Sequence, residues 1–262
     1  MSATPAAAPS VTSTTAVDDV RLEVPGQDHE VRAWLVRGGD DGTGRPAVLW
    51  LHWLGYRHND RAEFLALAVQ LASRGVVSLL PAGHFPWVPD PDGTAQDVAR
   101  VSEQVDAHTV ALDHLAAQPG VDPARIAVVG HDYGGMYAAL LAARDARVSA
   151  LALQALDSAW GGWFATYWLR LEGQARADYS RRFAGLEPLD RVAELAGRLG
   201  DRMLLQWAGK DTFVSEDVRA AYAAANGDAR SIVYEGADHM LDDRAAVDLV
   251  AFLAETLGLD QN

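Results

Sequence analysis

The sequence predicts an α/β protein with a mostly parallel central sheet and helices on both of its faces. Short apolar segments alternate along the chain with longer segments in which apolar residues recur at helical spacing, and this alternation is typical of the class. Segments 47–51 and 76–80 are apolar at nearly every position, as expected for strands buried on both faces of a parallel sheet. A glycine-rich turn at 130–135 joins one such strand directly to a helical segment. Ligands of these sheets bind beyond the carboxyl ends of the strands, so functional residues should follow strands.

The first 17 residues differ from the rest of the chain and are mainly Ala, Ser, Thr, Pro and Val. Residues 1–17 lack the basic start and the sustained apolar stretch of a secretory signal, and we expect a disordered leader. Residues 18–262 are expected to form one domain. Its predicted strands are 20–24, 30–36, 47–51, 76–80, 125–129, 148–153, 202–207 and 231–234, and its predicted helices are 61–74, 94–118, 136–144, 215–225 and 244–257.

Helical spacing and turn residues identify the elements of the first half. Strands 20–24 and 30–36 are joined by a short Pro-Gly turn, which predicts an antiparallel pair. Segment 61–74 has apolar residues at helical spacing and is followed by Gly75, a residue that suits the end of a helix. Segment 94–118 carries a face of Val and Leu and is predicted to form one long helix.

Residues 157–200 interrupt the alternation, and we expect them to form a short, aromatic-rich insertion that acts as a lid. Near its start Trp160, Trp163 and Tyr167 are spaced three and four residues apart, which places them on one helix face. Such a stripe either packs in the core or, at the mouth of the fold, lines a substrate pocket.

Composition and charge restrict the function classes. The chain has 22 basic and 36 acidic residues, a net charge of −14, which disfavours nucleic acid or an anionic membrane as a partner. It has no cysteine, and this excludes disulfides and thiolate chemistry. No His-x-His or His-Glu-x-x-His spacing occurs, so no metal is expected. No apolar run approaches the ~20 residues of a membrane span. We expect a cytoplasmic protein that needs no cofactor and acts on a small molecule; a homodimer stays open.

Three acid–base residues follow predicted strands. Asp132 stands at the centre of the turn 130–135 between a strand and a helix. This is the setting of a nucleophile elbow, in which a strained turn raises one side chain above the end of a sheet. Asp211 follows strand 202–207, and His239 follows strand 231–234. Because all three lie at carboxyl ends of strands, one fold could bring them together.

With these motifs the chain resembles the α/β-hydrolases, whose nucleophile, acid and histidine occur in the same order. The resemblance runs from about Asp18 to Leu259. Gly130-His131-Asp132-Tyr133 is similar to the Gly-His-Asp-Trp of epoxide hydrolases and haloalkane dehalogenases, which use an aspartate nucleophile. The remaining core is similar to that of dienelactone-hydrolase-type members, which have little lid. The resemblance implies that Asp132 is the nucleophile, that His239 activates water and that Asp211 orients His239.

The chemistry of a carboxylate restricts what Asp132 could attack. Attack on an ester would give an anhydride about as reactive as its precursor. Attack on an sp³ carbon with a leaving group, as in an epoxide or alkyl halide, gives an ester of Asp132, which is a covalent intermediate. Water activated by His239 would then hydrolyse that ester.

By the same resemblance, backbone N–H groups of Tyr133 and Leu54 are the expected oxyanion donors. Tyr133 follows the nucleophile, and Leu54 is the third residue of the first loop. That loop departs from the pattern of relatives, because Trp53 replaces a glycine and Gly55 a proline.

The same positions bear on the substrate. Haloalkane dehalogenases hold the halide with side-chain N–H groups, and neither Leu54 nor Tyr133 supplies one. Epoxide hydrolases need a hydroxyl beside the epoxide oxygen, and Tyr167 and Tyr179 lie in the insertion. Epoxide hydrolysis is therefore our first expectation. The expected substrate contacts are Trp53, Trp87, Trp160, Trp163 and Tyr167.

Two other functions remain open at this stage. Asp132 could act as a general base or polar anchor in the hydrolysis of an ester or lactone, and C–halogen cleavage stays an alternative on the same site. The chain could also be a non-catalytic small-molecule binder on a hydrolase scaffold. His52 and His131 flank the site by position, and we expect them to pack or to hydrogen-bond in loops.

Overall fold

Eight strands form a single sheet in the computed structural model, which describes residues 15–28, 30–39, 42–55 and 60–259. The strands are β1 (Ala16–Glu23), β2 (Glu30–Arg37), β3 (Arg45–Leu51), β4 (Val77–Pro81), β5 (Val121–His131), β6 (Val148–Gln154), β7 (Met203–Ala208) and β8 (Arg230–Tyr234). The helices are α1 (Leu65–Ala72), α2 (Gln96–Ala116), α3 (Tyr133–Arg144), α4 (Trp160–Tyr167), α5 (Gly173–Ser180), α6 (Pro188–Leu199), α7 (Glu216–Ala225) and α8 (Asp243–Thr256).

The strand order is β1-β2-β4-β3-β5-β6-β7-β8. β1 pairs with β2, and β2 with β4, in antiparallel fashion, and all other pairs are parallel. The predicted fold class is therefore confirmed. β5 lies near the middle of the sheet, between β3 and β6, so its carboxyl end opens at the centre of the sheet edge.

The core lies on both faces of this sheet. β3 and β4 are buried at every position. One apolar cluster joins the sheet to α2, α3, α4 and α6, and a second joins the opposite face to α1 and α8. The near-continuous apolar segments of the sequence thus form strands covered by helices on both sides.

Most predicted elements are confirmed to within a few residues, with three differences. β1 begins at Ala16, so residues 16–17 of the predicted leader belong to the sheet, while residues 1–14 lie outside the described residues. β5 begins at Val121, four residues before the start predicted at 125. The predicted helix 61–74 is a short 3₁₀ turn, Asp60–Ala62, followed by α1.

The segment predicted as the insertion contains two kinds of structure. α4 and α5 follow β6 and carry the aromatic residues. α6 packs against α3 and is the crossover helix that returns the chain from β6 to β7. A parallel pair needs such a crossover, so the end of the predicted segment 157–200 belongs to the regular α/β framework and the lid is shorter than predicted.

Among the described residues, no helix combines the length and the apolar character that crossing a bilayer requires.

Candidate active site

Asp132 lies on a strained turn between β5 and α3. Its backbone angles are φ 52° and ψ −117°, a conformation that L-residues with a side chain rarely adopt and that functional sites often keep. Two glycines make the turn feasible. A Cβ on Gly134 would lie 2.0 Å from the carbonyl oxygen of Leu51, and one on Gly130 would lie 2.2 Å from the carbonyl oxygen of Gly134. At the elbow, the backbone of α3 therefore packs directly against the end of β3.

The structure brings Asp132, His239 and Asp211 together at the carboxyl ends of β5, β8 and β7. Nδ1 of His239 lies 2.9 Å from Oδ2 of Asp211. Nε2 of His239 lies 3.8 Å from Oδ1 of Asp132, close to but longer than a hydrogen bond. The three residues thus form the geometry of a nucleophile, a base and an orienting acid.

Asp211 is held in its ionised form by its hydrogen bonds. One of its carboxylate oxygens accepts hydrogen bonds from the N–H groups of Phe213, at 2.8 Å, and Val214, at 3.1 Å. Burial alone would raise the pKa of Asp211, but the hydrogen bond to His239 and these backbone donors hold it below its usual range. An ionised Asp211 fixes the Nδ1–H tautomer of His239 and leaves Nε2 free to accept a proton.

The expected oxyanion donors lie beside Asp132 itself. The N–H of Leu54 donates to Oδ2 of Asp132 at 3.1 Å, and the N–H of Tyr133 lowers the pKa of this carboxylate. Oδ2 therefore lies where the oxyanion is expected, while Oδ1 faces His239. Burial raises the pKa of Asp132, and His239, His131 and the two N–H groups oppose that rise only in part.

A buried pair that the sequence did not reveal supports this arrangement. Oε1 of Glu63 lies 2.5 Å from Nδ1 of His131, and Oε2 of Glu63 accepts the N–H of Trp53 at 2.7 Å. Nε2 of His131 lies 3.0 Å from the carbonyl oxygen of His239. Both partners of the His131 ring are acceptors, so both ring nitrogens carry hydrogen and the ring is a cation.

The charge of His131 follows from the same contacts. Burial would lower the pKa of His131, but the carboxylate of Glu63 outweighs it and the pKa is raised. The Glu63–His131 pair thus connects the first loop, the elbow and the backbone of His239. His131 does more than the packing expected from sequence. His52 is held in its loop as expected, because its Nδ1 lies 2.7 Å from the carbonyl of Trp53 and its Nε2 accepts the N–H of Gly83 at 2.8 Å.

Aromatic side chains of the insertion close over Tyr133, the residue that follows Asp132. The Tyr133 hydroxyl accepts the indole N–H of Trp163 at 2.5 Å and that of Trp168 at 2.9 Å. Trp87 packs edge-on against Trp168, with 5.9 Å between ring centroids. The predicted contacts Trp87 and Trp163 therefore lie around Tyr133, and Trp168 was missed because it lies just beyond the predicted stripe.

Two expectations for the insertion need correction. Trp160 is fully buried and packs 4.6 Å, between ring centroids, from Tyr137, so it belongs to the core and is not a substrate contact. The Tyr179 hydroxyl donates to Asp97 at 2.7 Å and is not available to an epoxide. The spacing of Trp160 did not show which side of the helix meets the core, and the presence of Tyr179 in the insertion did not show its partner.

The other two predicted substrate contacts, Tyr167 and Trp53, lie near the histidines of the candidate site. Tyr167 is 44% exposed, and Phe213 lies between it and His239, with ring-centroid distances of 5.9 and 5.0 Å. Trp53 stacks on His131 at 6.4 Å. Tyr167 thus lies at the rim of the site and Trp53 on its opposite side. Across the described ranges, no three His, Asp or Glu side chains form a group that could hold a metal ion.

The strand order and the elbow between β5 and α3 define an α/β-hydrolase fold. In this fold Asp132, Asp211 and His239 meet at the carboxyl edge of the sheet. A protein of Yersinia pestis assigned as a carboxymethylenebutenolidase is 26% identical over 232 residues, which cover 82% of this chain and 76% of that protein. No protein-family model matches the sequence.

Solved structures give the same fold. The structure of a protein of Klebsiella pneumoniae subsp. pneumoniae assigned as a dienelactone hydrolase matches with a TM-score of 0.64 at 18% identity, over 94% of this chain and 100% of that chain. Est1E from Butyrivibrio proteoclasticus matches with a TM-score of 0.69 at 15% identity, over 92% and 98%. Porphyromonas gingivalis dipeptidyl peptidase 4 matches with a TM-score of 0.67 at 16% identity over 91% of this chain, which spans 35% of that peptidase. The predicted likeness to dienelactone-hydrolase-type proteins is supported, and the aspartate nucleophile stays a prediction.

Proposed function

We propose that the protein is a hydrolase that forms a covalent ester on Asp132, with epoxides as its first substrate class. One observation carries the proposal. The oxyanion donor Leu54 is hydrogen-bonded to Oδ2 of Asp132, so the hole already holds an oxygen of the protein. In acyl transfer to a serine or cysteine, the hole instead receives the carbonyl oxygen of the substrate.

This arrangement favours attack at an sp³ carbon. A substrate ester would have to displace Oδ2 from the N–H of Leu54 before its own carbonyl could enter the hole. An epoxide carbon can approach Oδ1 while Oδ2 stays where it is. After attack, Oδ2 becomes the carbonyl oxygen of the new ester, and the donors are already in position for the oxyanion of the second step.

The first step forms a bond from Oδ1 of Asp132 to an epoxide carbon and breaks the C–O bond of the ring. The ring oxygen then needs a proton, or a donor that stabilises its charge. Tyr167 at the rim is the lid tyrosine that remains for this role, and its hydroxyl would have to exchange its long contact with the carbonyl of Phe213, at 3.4 Å, for the ring oxygen. The Tyr133 hydroxyl is a second donor, because its oxygen already accepts two indole N–H groups and its own hydrogen points elsewhere. Burial raises the pKa of Tyr133 well above 10, which keeps it protonated.

The second step uses the histidine. Nε2 of His239 takes a proton from water, the water oxygen attacks Cγ of Asp132, and the bond from Cγ to Oδ1 breaks. The product leaves with Oδ1 and takes up the proton from His239. The other proton of the water is left on the Asp132 carboxyl and returns to the hydroxyl that protonated the ring oxygen, which restores both groups. Asp211, held ionised by its donors, stabilises the imidazolium form of His239 between these events.

A second candidate is the hydrolysis of a lactone or ester, and the likeness to the Yersinia pestis protein favours it. In that reaction Asp132 would be a base or a polar anchor, and no bond from Asp132 to substrate would form. C–halogen cleavage is less favoured. The indole N–H groups of Trp163 and Trp168 could hold a halide, but both donate to Tyr133.

Trapping the intermediate tests the proposal. His239→Gln removes the base of the second step and leaves Oδ1 of Asp132 free to attack. We expect incubation with a panel of terminal epoxides to add the mass of one epoxide to the peptide that contains Asp132. Asp132→Ala is the matched control and should gain no mass there. Lactone turnover by the unaltered protein, with no adduct from any epoxide, would favour the second candidate.

A further inference from the structure

A small cavity lies beside the oxyanion hole. It has a volume of about 20 Å³, room for about one oxygen-sized group. Its lining includes Leu54, Tyr133 and Gly134, together with His108 of α2 and Tyr137 of α3. We refer to it as the side cavity. The N–H of Leu54 donates to Asp132 and Tyr133 follows Asp132 in the chain, so the side cavity adjoins the site of the proposed reaction.

The hydrogen bonds of Gln104 determine the tautomer of His108. Oε1 of Gln104 accepts the backbone N–H groups of His84, at 2.9 Å, and Phe85, at 3.4 Å. The amide nitrogen of Gln104 therefore faces Nε2 of His108, at 3.4 Å, and Nε2 must accept. In a neutral ring the hydrogen is then on Nδ1.

That hydrogen has no acceptor within the described part of the chain. Nδ1 of His108 is buried and makes no hydrogen bond to protein, and His108 is 3% exposed. Burial, with the nearby imidazoles of His52 and His84, lowers the pKa of His108 to about 3. The ring is neutral at physiological pH and offers one unused N–H.

Tyr137 supplies a second unused donor. Its hydroxyl is buried and finds no hydrogen-bond partner among the described residues, and its side chain is 3% exposed. Its ring lies 5.4 Å from that of His108, between centroids. Buried polar groups are nearly always paired, so an unpaired one often belongs to a functional site. Two such groups in the wall of one small cavity point to a ligand atom between them.

We propose that the side cavity is a substrate subsite that accepts the oxygen of a carbonyl or amide group through the His108 Nδ1–H and the Tyr137 hydroxyl. This inference rests on the proposed function only in its claim that the bound molecule goes on to react. Binding of the oxygen in the side cavity does not depend on that reaction. An anion does not fit, because the side cavity adjoins the carboxylate of Asp132 and the His108 ring is neutral. A cation does not fit, because the unused groups are donors.

Binding can be tested without turnover. Cyclopentanone is the probe, and cyclopentane is the matched molecule without the oxygen. In ¹⁵N-histidine NMR at pH 7 we expect His108 to carry its hydrogen on Nδ1 and this signal to shift with cyclopentanone only. Tyr137→Phe should weaken cyclopentanone binding by about three- to tenfold, the effect of one hydrogen bond. A hydrogen on Nε2, an equal shift with cyclopentane or unchanged affinity in Tyr137→Phe would overturn the proposal.

A matched variant separates this role from a structural one. Tyr222 is also buried, but its hydroxyl donates to the carbonyl of Asp157 at 2.9 Å. We expect Tyr222→Phe to lower the melting temperature and to leave cyclopentanone affinity unchanged. Tyr137→Phe should not lower the melting temperature of the unliganded protein, because no protein hydrogen bond is lost. A larger loss of stability in Tyr137→Phe than in Tyr222→Phe would mean that the hydroxyl is structural.

Kinetics then distinguish the subsite from the reaction. For an epoxide with a neighbouring carbonyl, Tyr137→Phe should raise KM, while for 1,2-epoxybutane KM should stay unchanged. If neither epoxide reacts and cyclopentanone still binds through Tyr137, the subsite stands and the proposed reaction fails. If both react and Tyr137→Phe changes neither KM nor affinity, the reaction stands and the subsite fails.

Discussion

Asp132 lies in a site where each neighbour restricts what its carboxylate can do. Its Oδ2 accepts from Leu54 at 3.1 Å, and its Oδ1 lies 3.8 Å from Nε2 of His239. One oxygen is therefore held and the other is free. A structural aspartate at a helix start would instead accept a hydrogen bond from the N–H of the second or third residue of its own helix, and the Asp132 side chain accepts no such bond from the described residues of α3.

At the residue scale, the Glu63–His131 pair should control the charge of Asp132. Glu63→Gln keeps an acceptor for the N–H of Trp53, but its amide would donate to Nδ1 of His131 and leave that ring neutral. Loss of the His131 charge removes a group that lowers the pKa of Asp132, so this pKa should rise further. We expect the acid limb of the ester-forming step to move to higher pH, measured by single-turnover rates across pH 4–8.

The matched control for that variant is Glu216→Gln, because Glu216 is an exposed residue at the start of α7. It should leave the acid limb where it is. An acid limb that moves to lower pH in Glu63→Gln would contradict the assignment of His131 as a cation beside Asp132.

At the scale of elements, the contact between α3 and the end of β3 determines where the oxyanion donors lie. A Cβ on Gly134 would meet the carbonyl of Leu51, so Gly134→Ala must move β3 and the loop that holds Leu54. We expect a loss of about 1–3 kcal/mol in the free energy of unfolding and a loss of activity that persists where the variant is fully folded.

Gly197→Ala in α6 is the matched control, since a Cβ there meets nothing within 4 Å. It should stabilise the protein by about 0.5–1 kcal/mol, because alanine is the better helix former. Urea unfolding and activity are to be measured for both variants. Full activity in a folded Gly134→Ala would show that the elbow does not set the donor geometry.

The start of α4 gives a second prediction at this scale. Oε2 of Glu187 accepts the N–H of Trp160 at 2.8 Å. Burial raises the pKa of Glu187 to about 7. The negative charges of Asp190 and Asp157 also raise this pKa, whereas the hydrogen bond from Trp160 lowers it. A carboxyl whose pKa is raised on folding favours the folded state at low pH. Its contribution is largest below about 4.5 and is lost as pH rises towards 7.

Glu187→Gln removes this titration. We expect its melting temperature to depend less on pH between 4.5 and 7 than that of the unaltered protein, as measured by thermal unfolding in matched buffers. An unchanged pH dependence would mean that Glu187 titrates as an ordinary exposed carboxyl.

At the scale of the whole molecule, the order of strands and helices follows from the apolar pattern of the sequence. The position of the candidate site follows from that order. Asp132, Asp211 and His239 each follow a strand, and a parallel sheet collects such positions at one edge. That much could be predicted from sequence, because strand ends are local features and the topology rules are few.

What the sequence did not reveal depends on contacts between distant segments. Glu63 lies in a segment that gives no sign of a partner, yet it bonds His131, 68 positions away. Trp160 and Tyr167 share one helical stripe, but tertiary packing buries the first completely and leaves the second 44% exposed. His108 and Tyr137 fit helix faces in the sequence, and only the structure shows that both have an unused donor beside the oxyanion hole.

The origin of the oxygen in the first product shows directly whether Asp132 attacks the substrate as a nucleophile. The proposed reaction transfers Oδ1 of Asp132 to the product and returns an oxygen of water to Asp132. With enzyme in excess over an epoxide in ¹⁸O water, we predict an unlabelled diol from the first turnover and ¹⁸O in the peptide that contains Asp132. A diol that carries ¹⁸O on the first turnover, with an unlabelled Asp132 peptide, would contradict nucleophilic attack by Asp132.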